Sequence, residues 1–152
     1  MLVGAENLQP IGASTIYDPY CKLMLGKKEK KSKIALKTLN PIWKETFSLN
    51  WYEGSNNILA LQVNSGLYSK YRNQEKNTNQ FIGTEIFGKV EVDLSEFSVE
   101  VTHDMWLPLE DSNSSIHFFL TINECAESSG HRKSFEKSEI NVEKYLQKEY
   151  LK

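Results

Sequence analysis

Short segments in which apolar and polar residues alternate recur along this chain, and turn-forming residues separate them. The longest such run extends from Trp43 to Trp51. Successive side chains of a strand point to opposite faces, so this run places four large apolar residues and Glu45 on one face and polar residues on the other. The Asn40-Pro41 pair before it is a turn signal, because proline presets φ and asparagine bonds its own backbone. The run therefore predicts a half-buried β-strand.

Seven more segments share this character. The predicted strands lie within residues 1–8, 20–25, 31–36, 43–51, 58–63, 87–94, 105–109 and 115–122. About eight short strands with regular turn signals are typical of a sandwich of two sheets. The sequence therefore predicts an all-β, eight-stranded antiparallel β-sandwich, and a length of 152 residues fits one such domain.

Two parts of the chain lack the strand pattern. Residues 64–85 are polar and rich in Asn, Lys and Tyr, and they predict a long, mobile loop of the kind that is often functional. The domain is expected to cover residues 1–123, followed by a linker at 124–137 and an amphipathic helix or tail at 138–152. Apolar residues recur in that tail at roughly helical spacing, at Ile140, Val142, Tyr145, Leu146 and Tyr150, and Ser138 is a candidate N-cap. Such a helix packs on its own domain or on a partner, with a membrane-surface role as the alternative.

Composition narrows the class of protein. No apolar run approaches the roughly 18 residues of a membrane span, and no secretory signal is visible. Cys21 and Cys125 are far apart and have no zinc-ligand spacing, so the prediction is two reduced thiols in a cytosolic protein, with a disulfide as the alternative. Charge is uneven: residues 1–52 hold eight Lys/Arg and four Asp/Glu, whereas residues 53–152 hold ten and sixteen. The N-terminal part can therefore attract an anionic surface although the net charge is −2.

Several strings resemble landmarks of the C2 domain. They are Tyr17-Asp18-Pro19-Tyr20-Cys21-Lys22-Leu23-Met24-Leu25-Gly26, then Lys31-Ser32-Lys33 with Lys37-Thr38-Leu39-Asn40-Pro41-Ile42-Trp43, and Gly88-Lys89 before Val92-Asp93-Leu94-Ser95. The segment from Val101 to Ile122 is similar to the end of the middle C2 domain of multiple C2 domain and transmembrane region proteins. The resemblance covers about residues 2–122.

This resemblance implies a β-sandwich that docks on membranes, with the circularly permuted, type II strand order. In that family, several C2 domains face the cytosol and reach for anionic lipid, and a C-terminal anchor sits in the endoplasmic reticulum or endosomal membrane. The chain is therefore expected to be a fragment or short form that is cytoplasmic and peripheral to such a membrane. A monomer is expected.

The same resemblance implies a calcium site, and the residues for it are mostly missing. Calcium takes roughly six to eight oxygen ligands, largely from carboxylates. The first acid of the family would fall at Ile11 or Gly12, and only the second is present, as Asp18. The third-loop acids are matched by Asn64 and Gly66.

The last acid of the family precedes a Phe-Ile-Gly-like triplet, and it falls at Gln80 or at Glu85. Glu85 is preferred, because Gly88 then stands at the family's distance from the strand end at Val92. The sequence predicts no cofactor and no calcium binding at micromolar concentration, with weak binding as the alternative. Asp18 is expected to cap the backbone of its loop instead.

A lysine-rich segment is the candidate lipid-binding element. On one strand, Lys31 and Lys33 would share a face, beside the strand that carries Tyr20 and Lys22. These four residues match the phosphoinositide site of related C2 domains, and Val63 stands where that family has an aromatic. Secondary basic residues are Lys27, Lys28, Lys30 and Lys37. The sequence therefore predicts docking on anionic phospholipid, and the alternative is that these lysines only solvate an exposed strand.

Other functions have less support. The three histidines lie in separate contexts without a nucleophile–base motif, and no phosphate loop is found, so an enzyme is not expected. Nucleic acid binding is disfavoured by the acidic remainder of the chain. The main alternative is a protein-interaction module, with contacts from the C-terminal helix and the long loop, whose candidates are Tyr68, Lys70, Tyr71 and Arg72.

Overall fold

Ten β-strands make up the described part of the chain. The structure is a computed structural model that describes residues 1–11, 16–52, 56–70, 79–110, 113–124 and 137–140, with the backbone alone for 67–70, 79–84 and 137–140. The strands are β1 Leu2–Glu6, β2 Pro19–Leu25, β3 Lys28–Lys31, β4 Ile42–Glu45, β5 Asn50–Tyr52, β6 Ile58–Lys70, β7 Asn79–Asp93, β8 Thr102–Pro108, β9 Ser115–Glu124 and β10 Lys137–Ile140. A short 3-10 turn, Leu94–Glu96, follows β7, and the Asp93 carboxylate accepts a hydrogen bond from Ser95 N there.

The strands form two antiparallel sheets. Four strands are ordered β3-β2-β6-β7 in the first sheet. The second has the order β4-β1-β9-β10-β5, and β8 also pairs with β9. The predicted all-β sandwich is confirmed, whereas the type II strand order stays a prediction. No helix in the described ranges is long and apolar enough to cross a membrane.

The hydrophobic core lies between the two sheets. In β2, residues Cys21, Leu23 and Leu25 are buried, and the residues between them are half-exposed. The same alternation places Leu59, Leu61 and Val63 of β6, and Ile116, Phe118, Leu120 and Ile122 of β9, in one cluster. Each sheet therefore has a face directed away from the core, and on the first sheet that face holds the candidate site.

The alternating run from Trp43 to Trp51 is buried as predicted, but it forms two strands. Trp43 and Leu49 are buried, and Lys44 and Asn50 are exposed. The ladder is interrupted between β4 and β5. Within β4, Lys44 has a φ of 48°, at the point where the register of β4 against β1 shifts.

The predicted strand 31–36 is wrong in position. The strand is β3, which ends at Lys31, and Ile34 and Leu36 are 46% and 74% exposed instead of facing inward. The reason is Ser32, whose Oγ accepts the hydrogen bond of Cys21 N at 2.8 Å. A side chain thus takes the place of a backbone carbonyl, and the regular ladder stops there.

Two further expectations fall on segments that the structure describes in part. The predicted loop 64–85 is largely strand, because β6 continues to Lys70 and β7 starts at Asn79, with pairing from Ser65–Glu85 to Lys70–Asn79. Antiparallel backbones satisfy each other's hydrogen bonds whatever the side chains are, so a polar sequence can extend a hairpin. Residues 71–78, with Tyr71 and Arg72, lie outside the described residues.

The helix predicted from Ser138 is wrong at its start. Ser138 lies in β10, where its register partners are Glu124 of β9 and Trp51 of β5. Open strand edges on both sides therefore outweigh the weak helical periodicity of this segment. The rest of that prediction, at 141–152, and the linker at 125–136 lie outside the described residues.

The burial of Cys21 leads to a testable prediction about the reactivity of its thiol. Its thiol is fully buried, and desolvation raises its pKa far above the ordinary value. Because only the thiolate is reactive, a Cys125→Ser variant is expected to leave Ellman's reagent almost unreacted in the folded state and to react fully in denaturant. Equal reaction rates in the two states would contradict the buried position of Cys21.

Candidate functional site

The outward face of the first sheet gathers three of the four predicted lipid-binding residues. Tyr20 and Lys22 lie on β2 between buried neighbours, so both point away from the core. Lys31 is the direct register partner of Lys22 on β3. Directly opposed side chains share a face, with Cβ atoms about 5 Å apart. The structure therefore brings Tyr20, Lys22 and Lys31 together, as the sequence predicts.

Strand register does not place Lys33 in this group. Its backbone N donates to the carboxylate of Glu45 at 2.9 Å, on β4 of the other sheet. The chain has left the strand at Ser32, so the two-residue rule that placed Lys33 beside Lys31 no longer applies. The expected grouping of Lys33 with the other three stays a prediction.

A fourth residue of the face, Lys89, was missed. Gln62 of β6 pairs with Lys22 on one side and with Lys89 of β7 on the other. One cross-strand row therefore runs Lys31, Lys22, Gln62, Lys89, which we call the lysine row. The sequence alone indicates that the Lys89 side chain points outward, because Lys89 alternates with the apolar Val90. Its place beside Gln62 depends on strand register, which the sequence does not give.

Two carboxylates flank the lysine row. The next row of the same face runs Glu29, Met24, Ala60, Glu91. Glu29 lies 3.6 Å from Lys22 Nζ and 3.7 Å from Lys31 Nζ, one carboxylate oxygen to each. Glu91 lies 2.9 Å from Lys89 Nζ, and this hydrogen bond raises the pKa of Lys89. The two rows thus hold three ammonium groups against two carboxylates.

The secondary lysines spread around this face. Lys28 turns toward β5, where its Nζ donates to Asn50 O at 3.2 Å and lies 5.3 Å from the Tyr52 ring centroid. Lys30 alternates with Lys31 and so lies on the other face of β3. In the described part of the chain, Lys27, Lys30 and Lys37 have no ion pair. These lysines add positive charge near the lysine row without lining it.

The tip of the sandwich holds the residues at vestigial calcium positions. Asp18 is buried, and its Oδ1 accepts a hydrogen bond from Lys37 N at 2.8 Å. Its own backbone N donates to Ser65 Oγ at 3.1 Å. Lys37 has a φ of 52°, so the Asp18 carboxylate fixes a turn with left-handed backbone. Asp18 therefore stabilises the fold at this position.

The remaining positions add few oxygen ligands. Asn64 is buried beside Ser65, Gly66 has no side chain, and Glu85 is the register partner of Ser65. Glu85 Oε2 is buried without a hydrogen-bond partner. Across the described ranges, no cluster of three or more His, Cys, Asp or Glu could hold a metal ion. Asp18 and Glu85 together fall short of the oxygen shell that calcium takes, so these residues do not fit the ion.

A second surface lies on the outward face of the other sheet. Trp106 is half exposed and stacks on His117, with ring centroids 3.9 Å apart. His117 Nε2 lies 2.7 Å from Asp104 Oδ1, which holds the imidazole in place. Beside Trp106, a groove of about 400 Å³ is bordered by Ile42 and Lys44. His117 thus lies on β9 as one residue of the outward sheet face.

The family follows from comparison with known proteins. A family model of the C2 domain matches residues 1–109. The chain belongs to the C2 domain family. As a C2 domain, it has its lysine row on the face of one sheet, and Asp18 and Glu85 lie at positions where the family has calcium ligands.

The subfamily resemblance is confirmed as well. The C2 domain is 31% identical over 125 residues to mouse multiple C2 and transmembrane domain-containing protein 1, which is 82% of this chain and 12% of that protein. It is 31% identical over 125 residues to the Drosophila melanogaster multiple C2 and transmembrane domain-containing protein, 81% of this chain and 11% of that one. The chain thus spans about a tenth of the length of these relatives.

Solved structures agree on the fold. Human GIVD cytosolic phospholipase A2 matches with a TM-score of 0.61 and 18% identity, over 83% of this chain and 16% of that one. A structure of two adjacent C2 domains of extended-synaptotagmin 2 matches with a TM-score of 0.55 and 20% identity, over 92% of this chain and 38% of that one. At these identities the likeness concerns the β-sandwich alone.

Proposed function

We propose that this C2 domain docks on anionic phospholipid membranes without calcium, as part of a membrane-tethering or trafficking protein. The observation that carries the proposal is the lysine row, where Lys31 and Lys22 are neighbours on an outward sheet face and Lys89 follows beyond Gln62. Lysine binds phosphate as a mobile point charge, and each basic residue near an anionic leaflet contributes about 1 kcal/mol. Glu29 and Glu91 offset part of this, so attachment is weak and sensitive to salt.

The proposed cellular location of the domain is based on the relatives. Both named relatives carry transmembrane domains by name, which supports a role beside a membrane. We place the domain on the cytosolic face of that membrane, as a monomer that binds rather than catalyses. The compartment of the endoplasmic reticulum or endosome belongs to the same proposal.

Flotation with liposomes tests this function directly. The domain is expected to float with vesicles that contain phosphatidylinositol 4,5-bisphosphate and to stay below with neutral phosphatidylcholine vesicles. Raising the salt concentration from 50 mM to 500 mM is expected to release it, because exposed charges are screened beyond a few ångströms at high ionic strength. Equal, negligible recovery from both vesicles at low salt would defeat the proposal.

Calcium is expected to have no effect on this binding. Asp18 already accepts a hydrogen bond from Lys37 N, and among the described residues at the family's calcium positions Glu85 is the one other carboxylate. Calorimetric titration of the domain should therefore detect no micromolar site, and flotation should be the same in calcium and in chelator. A micromolar dissociation constant would contradict the calcium-independent part of the proposal and leave the lysine row untouched.

Protein binding is the second candidate function. The observation that favours it is the exposed Trp106 and Ile42 beside the groove on the other sheet. Aromatic residues are enriched where proteins bind each other. Parts of the loop and tail that the sequence favoured for this role, residues 71–78 and 141–152, lie outside the described residues. A Trp106→Ala variant that loses capture of a protein partner but keeps flotation would favour this function, and unchanged capture would count against it.

A further inference from the structure

An anion already bridges two lysines of the lysine row, and it is a side chain of the protein. The Glu29 carboxylate places one oxygen 3.6 Å from Lys22 Nζ and the other 3.7 Å from Lys31 Nζ. This arrangement bridges two ammonium groups on adjacent strands, as two oxygens of a phosphate would. The side chains of Lys22, Glu29 and Lys31 are 25%, 42% and 58% exposed, so a headgroup can reach them.

A headgroup phosphate that bridges both lysines therefore competes with Glu29 for them. A phosphodiester, as in phosphatidylserine, carries one negative charge and would exchange one singly charged partner for another. A phosphomonoester carries a charge of about −1.5 to −2 and offers three acceptor oxygens. It gains attraction to the lysines that the carboxylate cannot match, although it also meets the displaced Glu29 nearby.

We propose that Glu29 is an internal competitor that makes the lysine row select lipid headgroups with phosphomonoester groups over phosphodiester lipids. The inference rests on the proposed lipid-binding function and adds its selectivity. Glu29 is a specificity-determining residue because it sets the charge that a ligand needs. The other carboxylate of the face, Glu91, pairs with Lys89 alone and bridges no pair of lysines, so it lacks this role.

The test compares Glu29→Gln with Glu91→Gln, which changes the net charge equally on the same sheet face. Co-sedimentation uses two kinds of vesicle with the same total charge, one containing phosphatidylserine and the other phosphatidylinositol 4,5-bisphosphate. Two exposed ion pairs hold Glu29, so its removal is expected to raise affinity for phosphatidylserine vesicles roughly five- to tenfold. The fold increase in affinity for the phosphoinositide vesicles should be less than half as large. The ratio of phosphoinositide affinity to phosphatidylserine affinity should therefore fall.

The possible outcomes distinguish a failure of the Glu29 inference from a failure of the proposed lipid docking. Glu91→Gln is expected to raise both affinities by a similar small factor and to keep the ratio. If Glu29→Gln also raises both affinities in proportion, or changes neither while the unaltered domain binds, Glu29 does not set selectivity and lipid docking stands. If neither the unaltered domain nor Glu29→Gln binds either vesicle, lipid docking fails and the inference fails with it. Soluble inositol phosphate as competitor should release the domain from phosphoinositide vesicles, and persistence there would contradict headgroup recognition.

Discussion

Replacing Lys22 and Lys31 together with alanine is expected to weaken vesicle binding about 30-fold. Two lysines at about 1 kcal/mol each give roughly 2 kcal/mol, and a factor of ten corresponds to about 1.4 kcal/mol. The change also frees Glu29, which then presents an unpaired negative charge to the anionic leaflet. The measurement is the partition coefficient on phosphatidylinositol 4,5-bisphosphate vesicles at low salt. Thermal unfolding of the variant checks that the fold is kept.

The matched control is Lys30→Ala with Lys33→Ala. It removes the same number of charges, yet Lys30 lies on the other face of β3 and Lys33 follows the end of that strand, where its backbone N donates to Glu45. If the lysine row is the docking site, this control should lose no more than about fivefold, which reflects the weaker long-range attraction. Equal losses in the two double variants would mean that total charge, and not the outward face of the first sheet, determines membrane binding.

Gly4→Ala is expected to destabilise the domain by roughly 3 kcal/mol, at the upper end of overpacking costs. A Cβ atom at Gly4 would lie 2.3 Å from the carbonyl oxygen of Pro41, which is backbone and cannot rotate away. That same oxygen accepts a hydrogen bond from Ala5 N at 3.0 Å. Room for the methyl group therefore requires β1 and the start of β4 to separate. Urea unfolding followed by tryptophan fluorescence measures the change in free energy.

Gly26→Ala is the control for this prediction. Gly26 has a φ of 60°, and no atom lies within 4 Å of the position that an added methyl group would take, so the cost there is the left-handed backbone alone. That cost is about 1–2 kcal/mol. A Gly4→Ala variant no less stable than Gly26→Ala would show that the approach of β1 to Pro41 is looser than the structure has it.

Much of the sandwich could be predicted because local patterning and tertiary burial agree. The alternation matches burial residue by residue in β2, and in β9 from Ser115 to Leu120. It fails at Ile34 and Leu36, where an alternating sequence is exposed because Ser32 has ended the ladder. A hydroxyl that replaces a carbonyl leaves no mark in hydrophobic periodicity. The polar arms of the β6–β7 hairpin were missed for the opposite reason, since backbone pairing formed without apolar alternation.

By itself, the sequence determined the all-β class, the family, the outward direction of Tyr20 and Lys22, and the loss of acids at the calcium positions. These follow from residue identity and from the two-residue period of a strand, which act over short distances along the chain. Only the tertiary structure decided that Lys89 joins Lys22 and Lys31, that β3 ends before Lys33, and that Glu29 bridges two of the lysines. These relations depend on register between strands distant in sequence, and register is set by how the whole sheet packs.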